Sequence, residues 1–435
     1  MQGRKLMRNF LAALIILALG ACSQWVEAKS FSQPRVIGEQ AAVQFWVWRT
    51  TPHDLDDIKA AGFNNVRFVM SWQVAEQQKD AFTWTQYDRI MRDLRDRDMG
   101  AIIVLMGGNE NYSPLVDVKP NEMIKLKQVP LAPATPESVN GFARFAAKAA
   151  ARYGDQKVVW EIWNEPDLHH FWYPKVDAAA YARLADATCH AIKAVEPEAT
   201  VIGPSAAALP SLKDAVTVGF LEILLKSPAA NCLDALSIHA YRGGYKTPES
   251  VSEDYTHLKK FIAKHTPSGQ SPLPIICSEW GYPTTKVTPD LQAAYAVRTH
   301  MMNLLNDVPL SVWYEWRDSR DDGTQDHESN FGLHEYDNTP KPQWLTVKPV
   351  MAELASMKLV KRLDAGHKNA YAVLLASLEG QQKILTWWAG DPDQPAPVAI
   401  FQSGKETHEV QLAQIPQLID SFTTISVTHK PASQQ

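Results

Sequence analysis

Apolar residues recur in two rhythms along the 435-residue chain. Short unbroken apolar runs read as buried strands, because β-branched and aromatic residues favour extended backbone. They fall at 42–48 (AVQFWVW), 65–70 (NVRFVM), 101–106 (AIIVLM), 157–163 (KVVWEIW), 200–204 (TVIGP), 234–240 (DALSIHA), 273–279 (LPIICSE) and 310–316 (LSVWYEW). Between them run stretches with helical spacing. Pro136 opens one of these, which sets Val139, Phe142, Phe145, Ala146 and Ala149 on a single stripe, with Gly154 as its stop. Residues 177–197 repeat that pattern. Eight strands, each but the last followed by a helix before the next, predict an α/β fold: a closed (β/α)8 TIM barrel. An open doubly wound sheet would typically place a glycine-rich phosphate loop after its first strand, and none stands there.

The texture changes near residue 356. AYAVLLASLEGQQKILTWWAGD reads as two alternating strands around Glu379-Gly380, followed by the short runs PVAIFQS, HEVQLA and FTTISVTH. These predict a small β-sandwich over 356–435 after a barrel over 41–355. Residues 107–135 are long for a strand-to-helix loop, so they are expected to overhang the barrel mouth.

Polar residues interrupt the apolar runs at telling places. In a (β/α)8 barrel, catalytic groups come from the C-terminal ends of the strands. There the chain has Asn164-Glu165, His239-Ala240-Tyr241, Ser278-Glu279-Trp280 and Trp313-Tyr314-Glu315-Trp316. Asn164 and Glu165 are costly to bury without partners, so their place at the end of an apolar strand marks a site. Glu165 and Glu279, on strands 4 and 7, face each other across one opening. Cleavage of a glycosidic bond needs such a pair: one carboxyl protonated to meet the leaving oxygen, one ionised to meet the sugar carbon. Like charge holds one pKa up, and donors such as Tyr241 hold the other down. Glu165 has the alternative role of capping the next loop, and His239 can equally satisfy a buried hydrogen bond. Sugar faces stack on indole, which makes Trp72, Trp172 and Trp316, near strand ends, candidates for the cleft.

The series FNNVRFVMSW, FTWTQYDRIMRDLRDRDMG, WEIWNEPD, HAYR, SEWG and YEWRDSRDDGTQDHESNFGLHEYDNTPKPQW resembles glycoside hydrolase family 39 of clan A, over residues 42 to 350. The resemblance implies a retaining β-glycosidase working by double displacement. It assigns Glu165 as general acid/base, Glu279 as nucleophile and Asn164 as the partner of the sugar 2-hydroxyl. Tyr241 would orient Glu279, Arg67 and His239 would stand behind the pair, and Trp316 would be a stacking platform. Within the family, the leader described below is similar to those of glycosidases encoded beside bacterial exopolysaccharide biosynthesis machinery. That implies an endo-acting hydrolase of an exopolysaccharide. The other readings are exo action like that of a β-xylosidase, transglycosylation, and a non-catalytic polysaccharide-binding barrel. The last would be expected to lack one of the two glutamates, and both are present.

Charge and cysteine content narrow the setting. A net charge of −5 with no basic block argues against a nucleic-acid partner. Arg4, Lys5 and Arg8 precede a 12-residue apolar run, 10–21, where a bilayer span needs about 20. It ends in LGAC, similar to the lipobox of bacterial lipoproteins. Residues 1–21 are thus expected to be a signal peptide, Cys22 the lipidated residue, and 22–40 a tether. Ser23 resembles the outer-membrane sorting choice, for a periplasmic, membrane-anchored protein. A plain secretory signal that happens to contain a cysteine is the alternative. Losing Arg4, Lys5 and Arg8 would take the net charge from −5 to −8. Of the remaining cysteines, Cys277 lies in an apolar strand, and Cys189 with Cys232 is the pair to test. No cofactor or metal is expected. His169 and His170 are adjacent without a third ligand nearby, and DSRDDGTQDHES fails the calcium-loop spacing.

Overall fold

Ala41–Gln44 (β1), Asn65–Ser71 (β2), Gly100–Met106 (β3), Val158–Ile162 (β4), Thr200–Ala206 (β5), Ala235–His239 (β6), Ile275–Trp280 (β7) and Ser311–Trp313 (β8) form a closed barrel in chain order. Every pairing is parallel, and β8 returns to pair with β1. This computed structural model describes residues 35–118, 127–209, 215–244, 246–320, 327–391, 395–403, 406–420 and 428–430. The expected signal peptide and Cys22 lie outside them. Among the described residues, no helix is long and apolar enough to cross a membrane.

The helix Pro136–Tyr153 begins at the predicted proline, with a capping box between Thr135 and Ser138. Its buried face carries Val139, Phe142, Phe145, Ala146 and Ala149 as the spacing predicted. Gly154 does follow it, but in right-handed helical backbone. Its role there is close approach, since a Cβ would meet Glu196 Oε2 at 2.7 Å.

Three local expectations change. The apolar runs 42–48 and 310–316 are extended only over Ala41–Gln44 and Ser311–Trp313. Beyond those points the chain turns across the barrel end, where the Phe45 N–H donates to Arg67 and the Trp316 N–H to Gln44. Phe45 and Trp316 are still buried, so there the apolar residues marked burial rather than extended backbone, while Trp48 at the end of the first run is exposed. Residues 37–40, expected within the tether, form a short helix. Ile37 is buried there, and the Gly38 N–H donates to Ala355.

The C-terminal strands Met357–Leu363 (β9), Ala370–Ser377 (β10), Gln382–Trp388 (β11), Val398–Ser403 (β12), Glu406–Gln411 (β13), Gln417–Asp420 (β14) and Thr428–Lys430 (β15) make two antiparallel sheets. Their orders are β9-β10-β11-β14 and β13-β12-β15. Alternate residues of β10 serve different cores. Ala370, Ala372 and Leu374 pack with Ile384 of β11 and with Ala399 and Phe401 of β12, between the two sheets. Tyr371, Val373 and Leu375 join the large cluster that includes the barrel. Strand β10 is therefore buried on both faces. A disulfide joins Cys189, in the helix Ala178–Val195, to Cys232 in Ala229–Cys232; Cys277 is free and buried.

Candidate active site

The end of β4 aims the two polar residues that its apolar body cannot absorb. Trp163 and Glu165 both have positive φ, 72° and 46°, a conformation non-glycine residues seldom adopt. Trp163 is locked by its indole, which donates to the Phe171 carbonyl (3.0 Å) and meets Trp172 edge-on. The Glu165 N–H donates to Ser205 O at 3.0 Å, and Ser205 is itself left-handed at φ 59°. The double kink sends Trp163 into the core and leaves Asn164 and Glu165 at the mouth.

Arg67 of β2 is fully buried and commits all five of its N–H donors. Nε donates to Glu161 (2.8 Å), Nη1 to Gln44 (2.8 Å) and Glu279 (2.6 Å), and Nη2 to Asn164 Oδ1 (2.9 Å) and Ser205 Oγ (3.1 Å). A buried guanidinium is tolerable only with opposite charge beside it, and Glu161 and Glu279 supply that. With Oδ1 of Asn164 engaged, its amide N–H remains to meet a sugar hydroxyl.

Glu279, on β7, also accepts from the Tyr241 hydroxyl at 2.6 Å. Glu165 Oε1 lies 2.7 Å from Nδ1 of the buried His239, whose Nε2 lies 2.7 Å from Ser205 Oγ. One donor atom from each of Glu165, His239 and Glu279 falls within 4.8 Å of the others. The carboxylates thus share one sugar-sized space. They titrate in opposite directions. Burial is the main cause raising Glu165, aided by the negative charge of Glu279 and opposed by His239. Burial also resists ionisation of Glu279. There, the charges of His239 and Arg67 and the hydrogen bonds from Tyr241 and Arg67 prevail, holding it below the usual carboxylate value. The pair of glutamates raises His239 despite its burial. The same three groups are compact enough to hold a cation, but Arg67 already places a positive charge against Glu279.

The description of glycosyl hydrolases family 39 matches residues 53–390. The chain belongs to this family of glycoside hydrolases. Two curated relatives are similar over part of the chain, both named β-xylosidase. The one from Caldicellulosiruptor saccharolyticus is 26% identical over 45% of this chain and 41% of its own length; that from Geobacillus stearothermophilus is 29% identical over 34% and 32%. The match thus spans less than half the length of these relatives. Among solved structures, a family 39 glycoside hydrolase from Bacteroides cellulosilyticus WH2 has a TM-score of 0.69 at 20% identity, covering 89% of this chain and 82% of its own. A monomeric β-xylosidase from Caulobacter crescentus CB15 reaches 0.59 at 19% identity, over 85% and 80%. At these identities the likeness is one of fold.

The family 39 chain brings together Asn164, Glu165, His239, Tyr241, Glu279 and Arg67. Arg67 and His239 are wholly buried and contact the carboxylates, Arg67 with Glu279 and His239 with Glu165. The tryptophan expectations are corrected. Trp72 is 0% exposed, donates to Glu76 (2.7 Å), stacks on Tyr112 and meets Phe142 edge-on. Trp172 is buried between Trp163 and Tyr181. Trp316 sits at the mouth but is 1% exposed, with the His334 ring 4.1 Å away, so it offers no open platform. All three follow strand ends, but the loops fold their rings inward. Sequence reading missed Glu161, Gln44 and Ser205, which lock Arg67; Glu315, at the expected strand end, accepts from Trp46 (2.6 Å) and Ser319 (2.5 Å). Glu161 did carry a signal: it is a charge inside an apolar strand, on the alternation that faces the barrel interior.

Proposed function

We propose that the chain is a retaining β-glycosidase that cuts an extended bacterial exopolysaccharide internally. The observation that carries the retaining chemistry is the approach of the two carboxylates. One oxygen of each lies within 4.8 Å of the other, which suits direct attack, where carboxyl groups stand about 5–5.5 Å apart, better than inversion, where they stand roughly 6.5–9.5 Å apart. Glu279, ionised and aimed by Tyr241 and Arg67, attacks the anomeric carbon while Glu165 gives its proton to the departing glycosidic oxygen. The product is a covalent glycosyl-enzyme and a free sugar hydroxyl. Glu165, now ionised, takes a proton from water, which displaces Glu279 and restores both groups. The β-xylosidase relatives support a second reading, exo action on a terminal sugar.

The test sets wild type and Glu165→Gln against a panel of exopolysaccharides and aryl β-glycosides, scoring binding and turnover separately. The variant should bind but lose about 10²–10⁴ in kcat on unactivated linkages. Wild-type activity should fall in acid as Glu279 is protonated and in alkali as Glu165 is ionised, and the alkaline limb should vanish in the variant. Equal turnover by both proteins would refute the assignment.

Export and anchoring through Cys22 at the periplasmic face of the outer membrane form part of this reading. The leader 1–21 supports it, as does the Cys189–Cys232 disulfide, a bond that persists in oxidising compartments. Cys22→Ser should move the protein from the membrane to the soluble fraction; unchanged fractionation would remove the anchor.

A further inference from the structure

Trp48 is the one tryptophan classed as exposed among the described residues, at 68%. It stands four residues past Gln44, whose side chain accepts from the Arg67 that holds Glu279. Four residues span at most about 14 Å, and a turn shortens that reach here, since the Arg49 and Thr50 N–H groups both donate to Trp46 O (3.1 Å). Trp48 therefore follows the C-terminal end of β1, the same end of the barrel strands that carries the carboxylates, and stays within that reach of Gln44.

Its mount is rigid. Arg89 donates to Val47 O (2.9 Å) and Thr50 O (3.1 Å), and Arg317 donates to Arg49 O. The Arg49 side chain donates to Asp318 O (2.5 Å) and Arg317 O (2.7 Å), tying the turn to the loop after β8. Its guanidinium carbon sits 5.7 Å from the ring centres of both Trp48 and Tyr336, a second half-exposed aromatic on that neighbouring loop. Three arginines thus hold in place a turn that presents a large apolar ring to water. A protein partner would call for a contiguous apolar patch. Here two exposed rings flank one guanidinium, an arrangement that suits stacking on sugar faces.

We propose that Trp48, with Tyr336 beyond Arg49, forms a rim subsite that stacks a sugar ring of the glycan remote from the cleaved linkage. The proposal rests on the glycosidase reading and deepens it. Binding is measured by titrating β-linked xylo-, manno- and gluco-hexasaccharides into the Glu165→Gln protein, with and without Trp48→Ala. The alanine variant should keep its melting temperature and weaken the best-bound hexasaccharide by about tenfold. Trp48→Phe should recover part of that loss, and Leu378→Ala, on a distant hairpin, should lose nothing. Equal affinities, or no binding of any hexasaccharide by the Glu165→Gln protein, overturn the subsite. Aryl β-glycosides, which fill only the cleaved-sugar position, test the other reading separately. If wild type turns them over while Trp48→Ala binds hexasaccharides normally, the subsite falls and the glycosidase stands. If wild type turns over no glycoside but Trp48→Ala loses binding, the glycosidase reading falls and the subsite stands.

Discussion

Glu165 and Glu279 are the same residue type, a few ångströms apart, and their surroundings divide the labour. Glu165 meets burial and the charge of its partner, which push its pKa up; at Glu279 burial is outweighed by the charges of His239 and Arg67 and the Tyr241 hydrogen bond, which hold its pKa down. A third carboxyl shows the outcome when counter-charge is weaker. Glu315 is fully buried, and burial pushes it to about 7, with the Arg49 charge 3.4 Å off and hydrogen bonds from Ser319 and Trp46 compensating only in part. A folded pKa above the unfolded one means that the native state binds more protons between the two values. Stability is then greatest below the unfolded value, near 4.5, and falls as pH rises towards 7. The loss is about 3 kcal/mol. Glu315→Gln should therefore flatten the decline of melting temperature between acid and neutral pH. The same slope in variant and wild type would contradict this account.

At the scale of elements, the polar strand ends were legible because a carboxylate closing an apolar run has no structural reason to be there. The tryptophan faces were not legible. Trp72 and Trp48 both follow barrel strands, yet the first folds inward onto Tyr112 and the second points out to solvent. Loop geometry sets that difference, and loops carry no periodic pattern. The cysteines occupy a middle ground: elimination named the pair, and packing brought the helix Ala178–Val195 against Ala229–Cys232. Closing a loop of 43 residues stabilises by about 2–4 kcal/mol. A reductant should lower the melting temperature of wild type and leave that of Cys189→Ala/Cys232→Ala unchanged. A wild type insensitive to reductant would show the bond to be absent.

Across the whole molecule, the C-terminal sheets are joined to the barrel by more than chain. Arg298, in the helix Pro289–Leu305, makes a two-pronged bond to Glu249 (2.8 and 2.7 Å) and reaches Gln414 (2.9 Å), while Trp387 of β11 donates to the same glutamate (2.8 Å). The Arg298 side chain is fully buried and the Glu249 side chain nearly so, yet Arg298 keeps Glu249 below its ordinary pKa against the effect of burial. Removing one partner strands the other charge, so Arg298→Met should cost about 3–5 kcal/mol in urea unfolding. Adding Glu249→Gln should recover part of it. A single-variant loss under about 1 kcal/mol would make this junction dispensable.

The sequence by itself determined the barrel's strand count, its parallel order and the two glutamates at or just past the ends of strands 4 and 7, because short-range periodicity and unpartnered charge are written locally. Only the tertiary structure decided which way the pKa of each glutamate moves, which rings meet water and that β10 serves two cores at once. Those outcomes depend on groups distant in the chain, Arg67 with Glu279 and Tyr371 with the barrel, whose contact exists only after the loops between them have closed.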